Sequence, residues 1–599
     1  MMRIAGNMIL CIVLPLSAAG QWKEAGRSYF FDRHYGQVEV GGRYVGAEFH
    51  RSRPLPSRLS FYYPVANSID LSTDYWRRDE SLPVAIGIAI NGGKRKWIGR
   101  EGWSYTVSPH RVRFENRDSL LQTSICYEFC LNEPAMVMTI AFMNISNKPL
   151  ELVAYAHVRP ALRTCQTYAR KDSAQTLFDN NLQMVAAKFS DSDADRVAVF
   201  VVNGGEKPVS WTSDGGELAV TDSGTSNWTG STHPLSRRLL TGNGGIPLAA
   251  FEFRKRIDAG DSLVVIQIVG SCREAELIEV ANRLSASSKS EVMAYDELVR
   301  LKSEQSTIFR TGDQVLDASA VWAKGILAAN AHYLDGKIVP MPCPAEYNFF
   351  FTHDLLMTDL AVVNFDLERV KSDLLYVASH SRDSVIPHAY YWRDDGFKTE
   401  YCTPDNWNHF WFVMLTASYL RHSHDDSTVR ELLPLVTKSL EEVRRQVKSD
   451  HLAYAYRPDW WDIGHIEGPR AYTTTLAIRT LREFLFIGSF LGLQAGKLRE
   501  YESLADSMQN ALELRLWDDR MKYLTNYNEG KKDEHYYMGS LLAPAFGLLE
   551  LARAKGLVET ASKVLLDAKI GIRNAMPPDF HTREAINFYK FAGDEAGKP

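Results

Sequence analysis

The stretch Val429 to Val447, VRELLPLVTKSLEEVRRQV, is typical of an amphipathic helix. Its apolar residues recur every three or four positions, which places them on one face of a helix. Pro434 interrupts the stretch and indicates either a first helical turn or a kink. Tyr501 to Leu516 has the same spacing. Because this pattern continues from Asp313 onward, we expect about nine helices separated by long loops in the second half of the chain.

The first half has the pattern of β-strands. Short runs rich in Val, Ile and aromatic residues alternate with breakers such as Asn147-Lys148-Pro149. These runs include Val137–Ile145, Leu150–Val158, Val197–Val202 and Leu263–Val269. Many strands without intervening helices predict an antiparallel β-sandwich.

These two patterns predict a multidomain chain with β structure first and α structure second. We expect a β-sandwich domain over residues 27–272 and a helical linker over residues 273–312, because Glu274 to Leu301 is charged with helical apolar spacing. A helical domain of the catalytic type should occupy residues 313–599.

The N-terminus has the features of a secretory signal. Arg3 supplies positive charge, Met8 to Leu16 is apolar, and Ser17 to Gly20 offers small residues for cleavage. We therefore expect residues 1–20 to be a cleaved signal peptide and the protein to be secreted or periplasmic. A retained anchor or a misassigned start is the alternative. No later apolar segment is long enough to predict a membrane span in the mature chain.

Composition argues against several classes of protein. The 599 residues include 68 basic and 73 acidic side chains, for a formal net charge of -5. A nucleic-acid-binding protein would show a basic excess, so no nucleic-acid partner is expected. The seven cysteines lack CxxC spacing, and His422-Ser-His424 lies among loop residues, so no metal site is expected. No P-loop or GxSxG motif indicates a cofactor or a serine nucleophile, so no cofactor is expected.

The stretch Arg457 to Gly464, RPDWWDIG, carries the strongest chemical signal. Asp459 and Asp462 flank the tandem tryptophans Trp460 and Trp461. A carboxyl group beside indole faces can be held protonated, since low polarity disfavours its charged form. Indole faces also stack on sugar rings, and an acid beside an aromatic platform suits glycosidic bond cleavage. The structural alternative is a turn before a helix with tryptophans in the core.

Three further loop motifs at predicted helix starts combine a carboxylate with aromatic residues or arginine. Each motif alone could serve helix capping and packing, but their repetition favours carbohydrate binding, because sugars present hydroxyls to charged groups and CH faces to rings. We predict substrate-binding roles for Asp354, His388, Trp392, Arg393, Asp405, Trp407, Trp461 and Arg470.

This combination resembles (α/α)6-barrel glycoside hydrolases of the glucoamylase and glycogen-debranching (amylo-α-1,6-glucosidase-like) type. The resemblance covers most of the chain from about residue 27 and implies a β-sandwich before a barrel of helices. Asp354 matches the aspartate of the family's sugar-contacting loop, although His353 replaces its arginine. Asp462 resembles the general acid, with Asp459 in reserve, and Pro469-Arg470 resembles the segment that follows.

The chain departs from this family in two ways. A complete (α/α)6 barrel has twelve helices, whereas about nine are expected here. The family's general base, a Glu on a loop with Gly and Trp near the end of the barrel, has no counterpart. The sequence therefore predicts an incomplete barrel that lacks its C-terminal helices, with an unusually short barrel as the alternative.

The resemblance implies a carbohydrate substrate and an inverting acid/base mechanism on an α-glucan-like oligosaccharide or polysaccharide. Asp462 would protonate the leaving oxygen, and the general base is unknown. A non-catalytic carbohydrate-binding remnant and a disaccharide phosphorylase are the alternatives. Sugar identity, linkage and oligomeric state are not predicted.

Overall fold

A computed structural model of the protein divides the chain into two compact units. One contains residues 19–350, and the other contains residues 351–599 together with residues 1–18. The described residues are 29–30, 38–49, 53–64, 69–70, 82–99, 102–160, 162–163, 170–171, 174–191, 195–218, 235–241, 245–304, 307–334, 336–341, 343–345, 350–382, 385–390, 407–455, 468–568 and 571–577. Sequence analysis places the change of domain at residue 313, whereas the first compact unit extends to Phe350.

The described residues of the first unit form three larger sheets and one two-stranded hairpin over residues 331–340, and the three larger sheets are antiparallel apart from one parallel pairing at residues 69 and 163. The nine-stranded sheet has the order Tyr29–Phe30, Ser104–Ser108, Arg111–Arg117, Leu121–Phe129, Ala135–Asn144, Ser262–Arg273, Asp195–Asn203, Met184–Asp191 and Gln175–Asp179. The five-stranded sheet has the order Ser210–Asp214, Pro247–Ile257, Leu150–Val158, Val84–Ile90 and Lys96–Trp97. The six-stranded sheet has the order Arg170–Lys171, Leu162–Arg163, Ile69–Asp70, Arg58–Phe61, Val45–Phe49 and Val38–Gly41.

The four strands expected from Val- and Ile-rich runs are confirmed. Ala135–Asn144 and Ser262–Arg273 are neighbours, with Ile140 opposite Val265. Both of these side chains are buried, and burial alternates along the second half of Ala135–Asn144. This alternation is the period-two pattern from which the strands were predicted.

Two helices complete the first unit. Helix α1 (Leu277–Glu304) follows a short 3-10 turn at Glu274–Glu276 and confirms the helix expected there. It packs on the nine-stranded sheet, and Tyr295 donates a hydrogen bond to the Gly41 carbonyl at 2.9 Å. Helix α2 (Gln314–Ala329) is capped by Asp313 and leads into the hairpin Ala331–Leu334 and Lys337–Pro340. The Tyr333 amide of this hairpin donates to the Arg43 carbonyl at 2.7 Å, which ties residues beyond 313 to the first unit.

The second unit is mainly helical. Its helices are α3 (Thr352–Val362), α4 (Leu367–His380), α5 (Asn408–Ser423), α6 (Asp426–Gln446), α7 (Ala471–Leu491), α8 (Ala495–Ala511), α9 (Leu542–Ala545) and α10 (Leu551–Val564). A 3-10 turn, Met538–Leu541, precedes α9, and a π-helical turn, Leu512–Leu516, follows α8. Its short strands are Ala389–Tyr390, Tyr454–Ala455, Gly468–Pro469, Trp517–Asp518, Tyr523–Leu524, Asn526–Asn528, Lys531–Asp533, Tyr536–Tyr537, Leu566–Asp567, Gly571–Ile572 and Ala575–Met576. A further two-residue strand, Phe350–Phe351, lies at the boundary of the two units.

The helices form antiparallel hairpins with an inner and an outer member. Helices α5 and α7 are buried on nearly all sides, whereas α6 and α8 bury one face. The helices predicted over 429–447 and 501–516 are thereby confirmed as α6 and α8, and Pro434 lies inside α6. Helix α5 contacts α3, α7 and its own partner α6.

Helices α5 and α7 run in the same direction. Thr480 of α7 donates to the Phe410 carbonyl near the start of α5 at 3.4 Å. Further along both helices, the Arg421 guanidinium lies over the Phe486 ring at 4.2 Å and pairs with Glu483. Trp407 and Arg470, which immediately precede the two helices, therefore lie at corresponding ends of α5 and α7.

Three cysteines of the first unit, Cys126, Cys130 and Cys272, are free thiols and are buried. Burial raises the pKa of Cys126 to about 11 and that of Cys272 to about 12.

Within the described ranges, no helix combines the length and apolar character needed to cross a bilayer. The same part of the chain contains no cluster of His, Cys, Asp and Glu suited to a metal ion.

Candidate functional site

The structure describes four of the predicted site residues. Asp354 is exposed in the first turn of α3, and His388 lies between α4 and α5. Trp407 immediately precedes α5, and Arg470 immediately precedes α7. The other predicted residues lie outside the described ranges: Trp392, Arg393, Asp405, Asp459, Trp461 and Asp462.

The starts of α3 and α5 are tied to the segment around His388. The Thr352 amide donates to the His388 carbonyl at 2.8 Å. The Asn408 side-chain amide donates to the Pro387 carbonyl at 3.3 Å. Both Thr352 and Asn408 are fully buried, so these bonds are protected from water. Three segments that are distant in sequence are thereby fixed at one place.

Four ring side chains meet at this place and are called the histidine–tryptophan cluster: His353, His388, Trp407 and Trp411. The His353 ring stacks on Trp407 with centroids 5.6 Å apart and planes inclined by 19°. Trp411, one turn into α5, lies 6.0 Å from His353. His388 lies 5.9 Å from Trp407. The structure therefore brings the predicted residues His388 and Trp407 together.

The His353 imidazole of this cluster is uncharged near neutral pH. Burial lowers the pKa of His353 to about 3, and the neighbouring His388 contributes to that shift. Because His353 is uncharged near neutral pH, it does not serve there as a proton donor of the imidazolium type. His353 Nε2 and Trp411 Nε1 are buried and lack a hydrogen-bond partner within the described residues. The cluster thus offers ring faces and polar nitrogens rather than acid/base chemistry.

A second group, the arginine–aspartate cluster, contains Arg470, Asp533, His535 and Tyr537. Arg470 is fully buried, and its Nη1 lies 3.3 Å from Asp533 Oδ2. The Tyr537 hydroxyl donates to the same oxygen at 2.8 Å, and His535 Nδ1 lies 2.6 Å from Oδ1. The Arg470 guanidinium also lies 5.0 Å from the centre of the Tyr537 ring.

Asp533 remains ionised despite its burial. Burial alone would raise the pKa of Asp533, but the His535 hydrogen bond, the Arg470 charge and the Tyr537 hydroxyl outweigh it and lower the pKa to about 2. Arg470 Nε and Nη2 are buried without a hydrogen-bond partner in the described part of the chain. A buried guanidinium in this state has donors available for hydroxyl or carboxylate oxygens.

The start of α7 is held by two hairpins. Strand Tyr454–Ala455 pairs with Gly468–Pro469, and the Ala471 amide donates to Asn526 Oδ1 at 2.7 Å. Gly468 packs so closely that an added Cβ would lie 2.2 Å from the Tyr527 carbonyl oxygen. Ala455 and Gly468, the described residues on either side of positions 456–467, therefore lie close to Arg470.

Sequence reasoning did not identify Asp533, His535 or Trp411 as site residues. Asp533 lies in a short charged run, Lys531 to His535, which is also typical of a solvent-exposed hairpin. Trp411 lies inside a long apolar stretch that indicates a core helix. A stronger signal would have been the Tyr536 to Ser540 segment, which resembles a helix start of the same family and includes Tyr537.

The chain was compared with known proteins at three levels. No protein-family model and no curated protein matches it. Among solved structures, a bacterial glucoamylase complexed with acarbose is 12% identical with a TM-score of 0.60, covering 90% of this chain and 80% of that one. A rhamnosidase from Klebsiella oxytoca with rhamnose bound is 14% identical with a TM-score of 0.38, covering 71% of each chain.

The similarity to the bacterial glucoamylase is extensive enough to define the fold. It spans both compact units, because it covers 90% of the chain. Antiparallel sheets followed by helical hairpins, with α5 and α7 inside, agree with that architecture. The chain therefore has the fold of the glucoamylase-type (α/α)6-barrel glycoside hydrolases, the group that its sequence motifs resemble.

Proposed function

We propose that the protein is a glycoside hydrolase that acts on an α-glucan-like oligosaccharide or polysaccharide. One observation carries this proposal. Ala455 pairs with Gly468, so both ends of the segment containing Asp459 and Asp462 lie at the start of α7, next to the buried Arg470. The glucoamylase fold provides independent support for an enzyme acting on sugars.

Asp462 is the proposed general acid, and Asp459 is the reserve candidate. Proton transfer from a carboxyl group to the leaving oxygen requires a raised pKa, which adjacent tryptophan rings such as Trp461 favour. In an inverting mechanism, a second carboxylate ~6.5–9.5 Å from the acid activates water on the opposite face of the sugar. The residue that serves as this base is not identified.

The described clusters supply the proposed substrate contacts. Trp407 offers an indole already stacked on neutral His353, and Arg470 offers guanidinium donors without partners in the described residues. His388 joins the first cluster, and exposed Asp354 lies one residue from His353. We assign Trp392, Arg393, Asp405 and Trp461 to the same site from the sequence motifs.

The first test is the replacement of each candidate acid. Asp462→Asn should lower kcat by roughly 10²–10⁴-fold, because general acid catalysis contributes about that much. Maltoheptaose hydrolysis, followed by proton NMR, would also report the anomer formed first, and the β-anomer from an α-linkage would indicate inversion. Asp426→Asn, at the exposed start of outer helix α6, is the matched control and should leave turnover unchanged.

Three outcomes separate the alternatives. Unchanged turnover in Asp462→Asn with a large loss in Asp459→Asn would transfer the acid role to Asp459. Calorimetric binding of maltoheptaose without product would identify a non-catalytic carbohydrate-binding protein. Phosphate-dependent release of sugar 1-phosphate would identify a phosphorylase and contradict hydrolysis.

Secretion, the sandwich arrangement of the sheets and an incomplete barrel belong to the same proposal. Residues 1–20 would be removed as a signal, residues 27–272 would form the sandwich, residues 273–312 would link the domains, and residues 313–599 would contribute helices to the barrel. Intact mass and N-terminal sequencing of the protein from its native source test the signal cleavage and the chain length against the 67.7 kDa of the full sequence.

A further inference from the structure

The unit of residues 19–350 contains a cavity of about 270 Å³ where a strand turn meets α1 and α2. The turn at residues 108–111 joins two strands of the nine-stranded sheet. We call this space the turn cavity; it is lined by Pro109, His110, Arg111, Asp296, Val321 and Trp322, among others. Its volume lies just below the ~300–1,000 Å³ of pockets that enclose drug-sized ligands, so it suits a single ring.

The walls of the turn cavity are fixed by close packing. At Gly325 of α2, an added Cβ would lie 2.8 Å from both Pro109 Cγ and Ser303 Oγ. The turn, α1 and α2 are therefore in direct contact beside the cavity. A site with such walls loses little conformational entropy on binding a ligand.

His110 lines one wall of the turn cavity, and its contacts hold the imidazole ring in one orientation. His110 Nε2 lies 2.9 Å from Asp296 Oδ1, and the His110 ring makes an edge contact with Tyr295 at 5.5 Å. His110 Nδ1 is buried without a hydrogen-bond partner in the described residues. Arg111 Nη1 lies 3.4 Å from the same Asp296 oxygen. Asp296 is 46% exposed at its side chain, so it remains accessible to a ligand.

The charges at the cavity are largely compensated within the protein. Arg111 faces Asp296, and Arg300 makes two bonds to Glu297 at 2.5 and 2.6 Å and one to Glu304 at 2.6 Å. An anionic ligand would have to compete with these carboxylates, so the balance favours a neutral ligand. Half-buried Trp322, together with Val321 and Pro109, supplies apolar surface beside these polar groups.

We propose that the turn cavity binds one sugar residue of a neutral oligosaccharide. The ring would lie against Trp322, and its hydroxyls would bond to Asp296, His110 and Arg111. A neutral ring with an apolar CH face and polar edges matches this combination of indole and charged hydrogen-bonding groups. The site does not require hydrolysis and goes beyond the proposed function.

The test is calorimetry of the full chain with maltoheptaose, and separately with cellohexaose, in the Asp462→Asn background so that the ligand persists. Trp322→Leu should weaken binding at one site by about tenfold or more, since loss of ~1.4 kcal/mol is tenfold in Kd. Asp296→Asn, which keeps the side-chain shape, should weaken that site by about threefold. Asp258→Asn, an exposed aspartate on a turn of the same unit, is the matched control.

Near-UV circular dichroism of each variant checks that the unit remains folded. Asp296→Asn keeps the test valid if Trp322→Leu does not fold.

The proposed sugar site is overturned if Trp322→Leu and Asp296→Asn bind both sugars as tightly as the parent protein. Binding of inorganic phosphate that is lost in Trp322→Leu, without sugar binding, also overturns it. Trp322-dependent sugar binding in a protein without hydrolytic activity supports this site while contradicting the proposed function. Hydrolysis by the wild-type protein, together with sugar binding that is unchanged in Trp322→Leu and Asp296→Asn, supports the proposed function while contradicting this site.

Discussion

The starts of α3 and α5 and the start of α7 contain buried polar groups of two different kinds. At α3 and α5, the His353 imidazole stacks on Trp407, and burial lowers the pKa of His353 to about 3. At α7, the fully buried Arg470 is paired with Asp533, whose pKa lies near 2. One cluster is stabilised by ring packing without charge, and the other by opposite charges and hydrogen bonds.

The difference predicts how the stability of each cluster responds to amino-acid substitution and to pH. A buried neutral ring can be replaced by another ring with a modest loss of packing. A buried ion pair depends on both partners, because removing one leaves a charge without water or a counter-ion. We therefore expect the arginine–aspartate cluster to be sensitive to substitution and the histidine–tryptophan cluster to be sensitive to pH.

The largest effect is expected from Arg470→Met. Asp533 would keep His535 and Tyr537 but lose its cation, and breaking a buried pair in this way costs about 3–5 kcal/mol in the free energy of unfolding. Urea denaturation followed by far-UV circular dichroism measures the change. Arg520→Met is the control, since Arg520 pairs with Glu534 on the surface with both side chains more than half exposed.

The control should change the free energy of unfolding by no more than ~0.5 kcal/mol, as is usual for surface substitutions. Equal effects of Arg470→Met and Arg520→Met would contradict the buried ion pair. In that case the two clusters would not differ in the way described.

A smaller loss is expected from Gly468→Ala. The new Cβ would lie 2.2 Å from the Tyr527 carbonyl oxygen, so the hairpin before α7 would have to move away from its neighbour. Such overpacking typically costs about 1–3 kcal/mol. Gly496→Ala in α8, where a Cβ meets nothing within 4 Å, should be neutral or slightly stabilising. If both variants unfold at the same urea concentration, the close approach at Gly468 has no energetic role.

The third effect is a difference in pH dependence. The pKa of His353 is near 3 in the folded protein and about 6.5 in an unfolded chain. Between these values the unfolded state binds the additional proton, so stability is fully present above pH ~6.5 and falls as the pH decreases toward 3. His353→Phe keeps an aromatic ring but removes the group that takes up this proton in the unfolded state. Its free energy of unfolding should fall less steeply than that of the wild type, by about 1.4 kcal/mol per pH unit between pH ~6 and ~4.

Urea midpoints measured at several pH values provide the comparison for His353→Phe. Parallel curves for the variant and the wild type would mean that His353 is protonated in the folded state. The titration of Asp533 changes the free energy of unfolding in a different pH range. Its lowered carboxyl pKa gives stability that is present above pH ~3.8 and lost as the pH falls toward 2. The steep fall below pH ~4 should therefore remain in His353→Phe.

The parts of the fold with a clear periodicity were predicted from the sequence. Helix α6 has one buried face, so its apolar residues recur at helical spacing, and burial alternates along the second half of strand 135–144 and the first half of strand 262–273. Helix α7 is buried on nearly all sides, so it has no polar face and its apolar residues show no helical periodicity in the sequence. Its start was instead identified from Pro469-Arg470. The extension of the first unit to Phe350 could not be predicted, because it depends on tertiary contacts such as the hydrogen bond from the Tyr333 amide to the Arg43 carbonyl.

The candidate site was predicted unevenly for a similar reason. His388 and Trp407 were both assigned to one loop motif between residues 386 and 408, and the structure places their rings 5.9 Å apart. Asp533 is 63 positions from Arg470, and nothing local to either residue indicates the pair. The roles of Asp459 and Asp462 stay predictions, since these residues lie outside the described ranges.

The pairing of Ala455 with Gly468 has a consequence for how the sequence of this chain can diverge. The chain enters and leaves residues 456–467 at one point, and the register there is set by residues outside that segment. Loop closure at a fixed base costs only ~0.6 kcal/mol for each doubling of loop length. Insertions, deletions or wholesale exchange of this segment can therefore accumulate while α7 begins at the same residue. If the proposed function holds, a grafting experiment that exchanges this segment should change substrate preference without a new fold.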